Sequence, residues 1–433
     1  QLRGALEGQL CRGGAHLRAQ AADLLGPFQR NLPRQPHKGD VALQLFLELI
    51  GPDIDVARED FRCGGRVLQG RGMGKHGTCL EAHGHQVPPA IHNLPPQGDQ
   101  ADRVELLRWI HAGVDHKAFQ RVPGTALWLL RIGVENGGRF EYKIAIGRSH
   151  GDDWVLDPLN PARAADPFGE NSVCRTWGYE RPDWSKPRGA PAGHIGTIEV
   201  NSQVFGETRT ERVYLPASHS AAIAHPLVVI HDGEDFMSYA DLSVSLDNLI
   251  AAGDVPPLVA ALVQTKDRMG EYPKGRRHAR YLANELLPAL IGRYTIDERP
   301  ARRVLLGASL GAVAALATAF RYPGVFGGLV LKSGSFILDD RKLEGRHHPV
   351  FHRVARLVQA LRRAPQLPKT RAFVSTGELE GLADENRALA DFLRDRGVEV
   401  LFQSAWDGHH WHNWRDQLRD GLMWVLQPNG ETK

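Results

Sequence analysis

LLGASLGAVAAL, residues 305–316, reads as the end of an apolar strand, a tight turn and the start of a small-residue helix. Val304, Leu305 and Leu306 supply the strand, and Gly307, Ser309 and Gly311 fill the pattern G-x-S-x-G. In a nucleophile elbow the serine occupies a strained strand-to-helix turn, and its flanking glycines let the backbone approach closely while leaving Oγ exposed. The helix that follows turns its unpaired N–H groups toward that oxygen. This end of a helix favours negative charge, which suits a tetrahedral oxyanion. Ser309 is therefore the candidate nucleophile; the plainer alternative is a glycine-rich turn that only packs.

The sequence around the elbow alternates between strand and helix patterns. From residue 195 a hairpin pair, IGTIEVNSQVFGETRTERVYLPA, leads into PLVVIHDGEDF, a buried strand running into a glycine turn. SYADLSVSLDNLIAAG and YLANELLPALIGRY read as helices, and PPLVAALVQT, GGLVLKSGS, RAFVSTG and VEVLFQSAW as further strands. Strands separated by helical patterns imply a mostly parallel sheet covered on both faces, an α/β-hydrolase fold. Ligands in such sheets bind beyond the carboxyl ends of the strands.

A serine hydroxyl needs a base, and in this fold class the order is serine, acid, histidine. VEVLFQSAWDGHHWHNWRDQLRDGLMWVL gives a last strand, a loop and a closing helix. His409 is the candidate base, ahead of His410 and His412. A metal held by the three is set aside for want of a ligand motif at regular spacing. The acid that orients the imidazole is sought in ELEGLADEN, where Glu380 is preferred and Asp384 is the alternative. A solvated acidic loop opening a helix would look the same. Oxyanion donors are expected from the amide of Leu310 and from the HDGEDF loop, where Gly233 permits a turn that aims its own amide or that of Glu234.

The rest of the chain is less specific. With 433 residues, 42% of them hydrophobic and 24% charged, it is an ordinary globular composition with room for two or three domains. A net charge of +3 without a lysine/arginine block argues against nucleic acid. Four scattered cysteines point to reduced thiols and a cytoplasmic setting. No apolar run approaches a membrane span, and the first twenty residues lack the apolar centre of a signal peptide.

Residues 1–100 read largely as loop or disordered extension, with one apolar element over VALQLFLELI and no zinc spacing among Cys63, Cys79, His83 and His85. Residues 101–190 read as a β-sandwich module and a proline-rich linker, and 191–433 as the α/β-hydrolase domain. In the module, Trp128, Tyr142 and Trp154 are read as core in preference to a sugar-stacking platform.

PLVVIHDGEDF, DRMGEYPKGRRHARYLANELLPAL, GASLGAVAALATAFRYPGVFGGLVLKSGSF and WDGHHWHNWRDQLRDGLMWVL together resemble the enterochelin esterase family, which includes the ferric enterobactin esterases. That family is similar to the broader esterase-D-like and feruloyl esterase group, and its members carry an immunoglobulin-like N-terminal module. The elbow and the closing motif Gly408, His409, Trp414, Arg415 are the specific parts. The resemblance covers roughly 105–433. It implies catalytic roles for Ser309 and His409, with the acidic position falling on Glu380. Ala312 stands where the family often has a second glycine.

The resemblance implies hydrolysis of siderophore trilactone esters through an acyl-enzyme, without metal or organic cofactor, on a small-molecule substrate that includes ferric siderophores. Arg268 and Asp232 are expected near the substrate. A basic cluster of Lys274, Arg276, Arg277 and His278 could face an anionic ligand, but a solvated helix approach is the preferred explanation. The alternatives are a feruloyl or acetyl esterase acting on carbohydrate esters, and a non-catalytic carbohydrate-binding scaffold with a degenerate hydrolase domain. Oligomeric state is not legible.

Overall fold

The computed structural model describes residues 81–82, 90–93, 102–110, 113–121, 123, 127–130, 132, 135–148, 151–338 and 349–427. The readings placed on VALQLFLELI and on Cys63, Cys79, His83 and His85 lie outside these residues.

Eight strands form the main sheet: β1 (His194–Ser202), β2 (Glu207–Leu215), β3 (Leu227–His231), β4 (Val259–Val263), β5 (Arg303–Ala308), β6 (Gly328–Lys332), β7 (Arg371–Gly377) and β8 (Glu399–Ala405). Their order is β1-β2-β4-β3-β5-β6-β7-β8. β1 and β2 are an antiparallel hairpin, β2 meets β4 antiparallel, and every pairing from β4 to β8 is parallel. All five residues of β3, of β4 and of β6 are buried. Continuous apolar runs of this kind are what a parallel strand needs when helices cover both of its faces.

The two faces follow strand parity. Leu305, Leu331 and Val374 pack on one side with the helices Leu310–Arg321, Leu287–Arg293, Pro349–Arg363 and Ala383–Asp395. Val304, Leu306, Val330 and Phe373 pack on the other with Gly233–Tyr239, Leu242–Ala251 and Leu418–Leu426. SYADLSVSLDNLIAAG, read as one helix, is two, broken where Asp241 takes a left-handed conformation (φ 48°). Ten consecutive residues, Leu310 to Ala319, are buried in the helix after the elbow, and their small side chains let it lie close against the sheet.

A second β region precedes this sheet. Strand Arg139–Arg148 lies at its centre, antiparallel to Gly169–Thr176, Arg103–Ile110 and Gly151–Val155. A smaller sheet joins Ala90–Asn93, Leu127–Leu130 and Gln120–Arg121. Val104, Leu106, Phe119, Trp128, Phe140, Tyr142, Ile144, Ile146 and Cys174 form one core. Trp128 and Tyr142 thus face inward, whereas Trp154 is half exposed, so the three do not make one platform. Glu81–Ala82 and Ala90–Asn93 pair into these sheets, so strand structure begins before residue 101. No helix among the described residues is long and apolar enough to cross a membrane.

Candidate active site

Ser309 follows β5 directly and caps the helix Leu310–Arg321 with φ 56° and ψ −122°. A non-glycine residue at positive φ costs on the order of 1–3 kcal/mol and persists only where its surroundings enforce it. Here they do. A Cβ on Gly307 would lie 2.3 Å from the carbonyl carbon of Gly311, and one on Gly311 would press on Asp232 and on the His231 side chain at 3.1 Å. The Ser309 amide donates to the Lys332 carbonyl at 2.9 Å, which pins the turn to the end of β6. Leu310 is the first residue of the helix, so its amide belongs to the turn that has no intrahelical acceptor.

The loop after β6 links the elbow to the rest of the site. Ser335 Oγ is 3.0 Å from Ser309 Oγ, and the Ser335 amide donates to the Ser309 carbonyl at 3.2 Å. Ser333, also at positive φ (43°), donates its hydroxyl to Glu380 Oε1 at 2.6 Å and accepts from Trp414 Nε1 at 2.9 Å. Asn386 fastens Gly334 by donating to its carbonyl and accepting from its amide.

Glu380 is 5% exposed and saturated with donors. Oε1 also accepts from Thr376 Oγ1 at 2.7 Å and from the Gly377 amide at 2.6 Å, while Oε2 lies 2.5 Å from His409 Nδ1. Burial alone would push its pKa up. The neighbouring His409 and the hydrogen bonds from His409, Gly377 and Ser333 outweigh burial and hold it below the usual carboxylate range. An ionised carboxylate on Nδ1 leaves Nε2 as the basic nitrogen of a neutral imidazole. The His409 ring stands edge-on to Trp414, 5.1 Å between centroids.

The other acids of that loop turn elsewhere. Asp384 is exposed and pairs with Arg387, which also takes Glu378. His410 lies against Glu141, and His412 accepts from Arg139 at 2.7 Å. The structure thus sets Glu380 and His409, but neither Asp384 nor the other two histidines, in one pair beside the elbow loop.

In the HDGEDF turn, Gly233 opens a helix and packs against β4, where a Cβ would meet Leu262 at 2.5 Å. The Glu234 amide donates to Gln264 Oε1 at 3.2 Å, and its carboxylate pairs with Arg212. Asp232 is 1% exposed and both its oxygens accept from Arg268, whose guanidinium also donates to the carbonyl of Ala308, next to Ser309. Asp232 therefore offers a substrate only the cation it holds.

Glu271, three residues after Arg268, binds Arg209 at 2.6 Å. Of the basic cluster, His278 is fully buried against His231 and Tyr272, and Arg277 donates to the Val204 carbonyl. Burial corrects the expectation that His278 faces a ligand. Ser333, Ser335, Thr376 and Asn386 went unnoticed in sequence. The only signal for the first two was the S-G-S run directly after an apolar strand.

Residues 202–425, just over half of the chain, match the Esterase family, described as "Putative esterase", and the chain belongs to that family. It is an esterase. Its relatives include the iron(III) enterobactin esterase of Dickeya dadantii, 24% identical over 383 residues that cover 76% of this chain and 86% of the relative. The iron(III) enterobactin esterase of Escherichia coli K12 is 26% identical over 371 residues, covering 77% and 90%. Among solved structures, the enterobactin esterase FES of Shigella flexneri shares the fold, with a TM-score of 0.62, 22% identity, and coverage of 80% of this chain and 94% of that one.

Proposed function

We propose that the protein is a serine carboxylic-ester hydrolase in which Ser309, His409 and Glu380 act as a triad. The carrying observation is the buried Glu380–His409 pair, tied by Ser333 to the loop whose Ser335 meets Ser309 Oγ at 3.0 Å, with that serine held at φ 56°. His409 Nε2 takes the hydroxyl proton as Ser309 Oγ attacks the ester carbonyl, and Glu380 stabilises the imidazolium. The Leu310 amide and an amide of the Gly233–Glu234 turn receive the oxyanion. The Glu234 amide becomes available when the Gln264 side chain swings aside. His409 returns the proton to the departing alcohol, and water then releases the acyl group by the same steps.

The substrate we propose is a siderophore trilactone ester, a small molecule processed in the cytoplasm. The names of the E. coli and D. dadantii relatives support it. So does Arg268, a partly exposed cation beside the elbow that suits an anionic ferric complex. We further propose the division into an N-terminal extension, a β-sandwich module and an esterase domain. Purified protein should label at Ser309 with a fluorophosphonate and should cleave enterobactin and its linear forms faster than feruloyl sugars. Absence of labelling would overturn the mechanism, and preference for feruloyl or acetyl sugar esters would overturn the substrate.

A further inference from the structure

Strand Arg139–Arg148 turns alternate residues to opposite faces. Phe140, Tyr142, Ile144 and Ile146 enter the sandwich core. Arg139 and Glu141 point the other way, where solvent is the usual neighbour of charge, yet they are 1% and 4% exposed. The cover is the loop that carries His409. The Arg139 amide donates to the Trp406 carbonyl at 2.7 Å. Its guanidinium reaches Asp407 at 3.3 Å, Glu141 at 2.5 Å and His412 Nδ1 at 2.7 Å. Glu141 meets His410 at 3.5 Å through Oε2 and again through its amide at 3.4 Å. Residues 406, 407, 410 and 412 are therefore all bound to two positions of one strand, and His409 sits among them.

The loop needs such a hold. It hangs from β8, which among the described residues pairs only with β7 and is half-exposed along most of its length. On its hydrolase side the loop is fixed by the Leu379 amide to the Asp407 carbonyl and by Asn413 to the Gly408 carbonyl. The acid loop leans on the same neighbour, because Leu379, next to Glu380, packs against the sandwich core.

We propose that Arg139 and Glu141 are positioning residues for ester hydrolysis, so that the β-sandwich is a working part of the active site. They set the His409 imidazole between Glu380 and Ser309. This rests on the triad reading above. Neither residue touches substrate; both act through the histidine loop. Displacement of a catalytic group by about 1 Å costs up to about 100-fold in rate, so a loop loosened on this side loses turnover before it loses structure.

The test uses the full chain and a short p-nitrophenyl ester. Glu141→Gln, Arg139→Lys and the double variant Arg139→Met/Glu141→Met are compared with wild type. The readouts are kcat, KM, the rate of fluorophosphonate labelling, the melting curve and the downfield imidazole proton resonance of the His409–Glu380 bond. The double variant removes the Arg139–Glu141 pair together and leaves Asp407 with the Gly408 amide as a partner; burial already raises the Asp407 pKa to about 7, so this carboxyl can take up a proton when the guanidinium goes. We expect kcat to fall about 10- to 100-fold with KM little changed. Labelling should slow in step and the resonance shift or broaden, in protein that still melts cooperatively. Arg139→Lys keeps the charge but cannot fork to three partners, so it should lose less than the double variant. If the double variant does not fold, Glu141→Gln, which keeps the shape, decides the matter by the same readouts. Folded variants with wild-type kcat and an unmoved resonance would overturn the clamp and leave the triad standing. A wild-type protein that neither turns over nor labels at Ser309 would overturn the triad, and the clamp with it.

Discussion

The elbow and the histidine loop reach the same site by opposite means. Ser309 sits at the end of the central strand β5, and its geometry is imposed by backbone contacts, chiefly Gly307 against Gly311 and its own amide on the neighbouring strand's Lys332. His409 sits beyond the last strand of the sheet, and its loop is held by side-chain charges from a strand 268 residues earlier, as the Arg139–Asp407 pair shows. A turn in the middle of a sheet can be specified by steric exclusion alone. A loop at a sheet edge has too few neighbours for that and borrows rigidity from elsewhere in the chain.

The contrast can be broken or sharpened by substitution, beginning with the largest effect. Ser309→Ala should lower kcat/KM by about four orders of magnitude or more while the protein stays folded; steady-state kinetics with a melting curve checks both. Glu380→Gln should cost about 10²- to 10⁴-fold in kcat, whereas Asp384→Asn, which alters an exposed acid in the first turn of a helix, should leave kcat unchanged. Equal losses from the two would remove Glu380 from its assigned place.

Gly307→Ala should fail differently, by destabilisation of about 3 kcal/mol or more, because the added methyl meets Gly311 backbone that has nowhere to go. Urea titration reads that value. If elbow substitutions cost stability and clamp substitutions cost turnover, the comparison holds. If both act alike, it does not.

The smallest effect concerns Lys332, whose carbonyl pins the elbow. Its side chain is fully buried, its ammonium has no hydrogen-bond partner among the described residues, and burial pushes its pKa from 10.5 down to about 7. A lysine with a folded pKa below its unfolded value favours folding above the unfolded pKa, and that advantage is lost as pH falls through the folded one. Lys332→Met should therefore melt several degrees higher than wild type near pH 6, with the gain shrinking toward pH 10.5. Melting curves across that range check the sign.

Much of the fold is legible in the chain because its parallel strands are uninterrupted apolar runs. The elbow is legible because only glycine fits on either side of Ser309. The pairing of Glu380 rather than Asp384 with His409 is not. It turns on which way one loop faces after β7, fixed by Thr376 and Gly377 and by a serine contributed from β6. Arg139 and Glu141 were invisible for a related reason. Alternating charged residues on a strand have the pattern of a solvated face, and only the three-dimensional arrival of the histidine loop buries them.

Burial of that charge group has a consequence for how such a sequence can drift. Arg139 and Glu141 share one strand and Asp407 lies 268 residues after Arg139, and one guanidinium serves both carboxylates. Losing Arg139 strands two carboxylates away from water, at about 3–5 kcal/mol, whereas exchanging the whole set for apolar residues is close to neutral. The two halves of the protein are thereby bound to change together or not at all. Swapping in a foreign sandwich would succeed only if it brought its own matching ions.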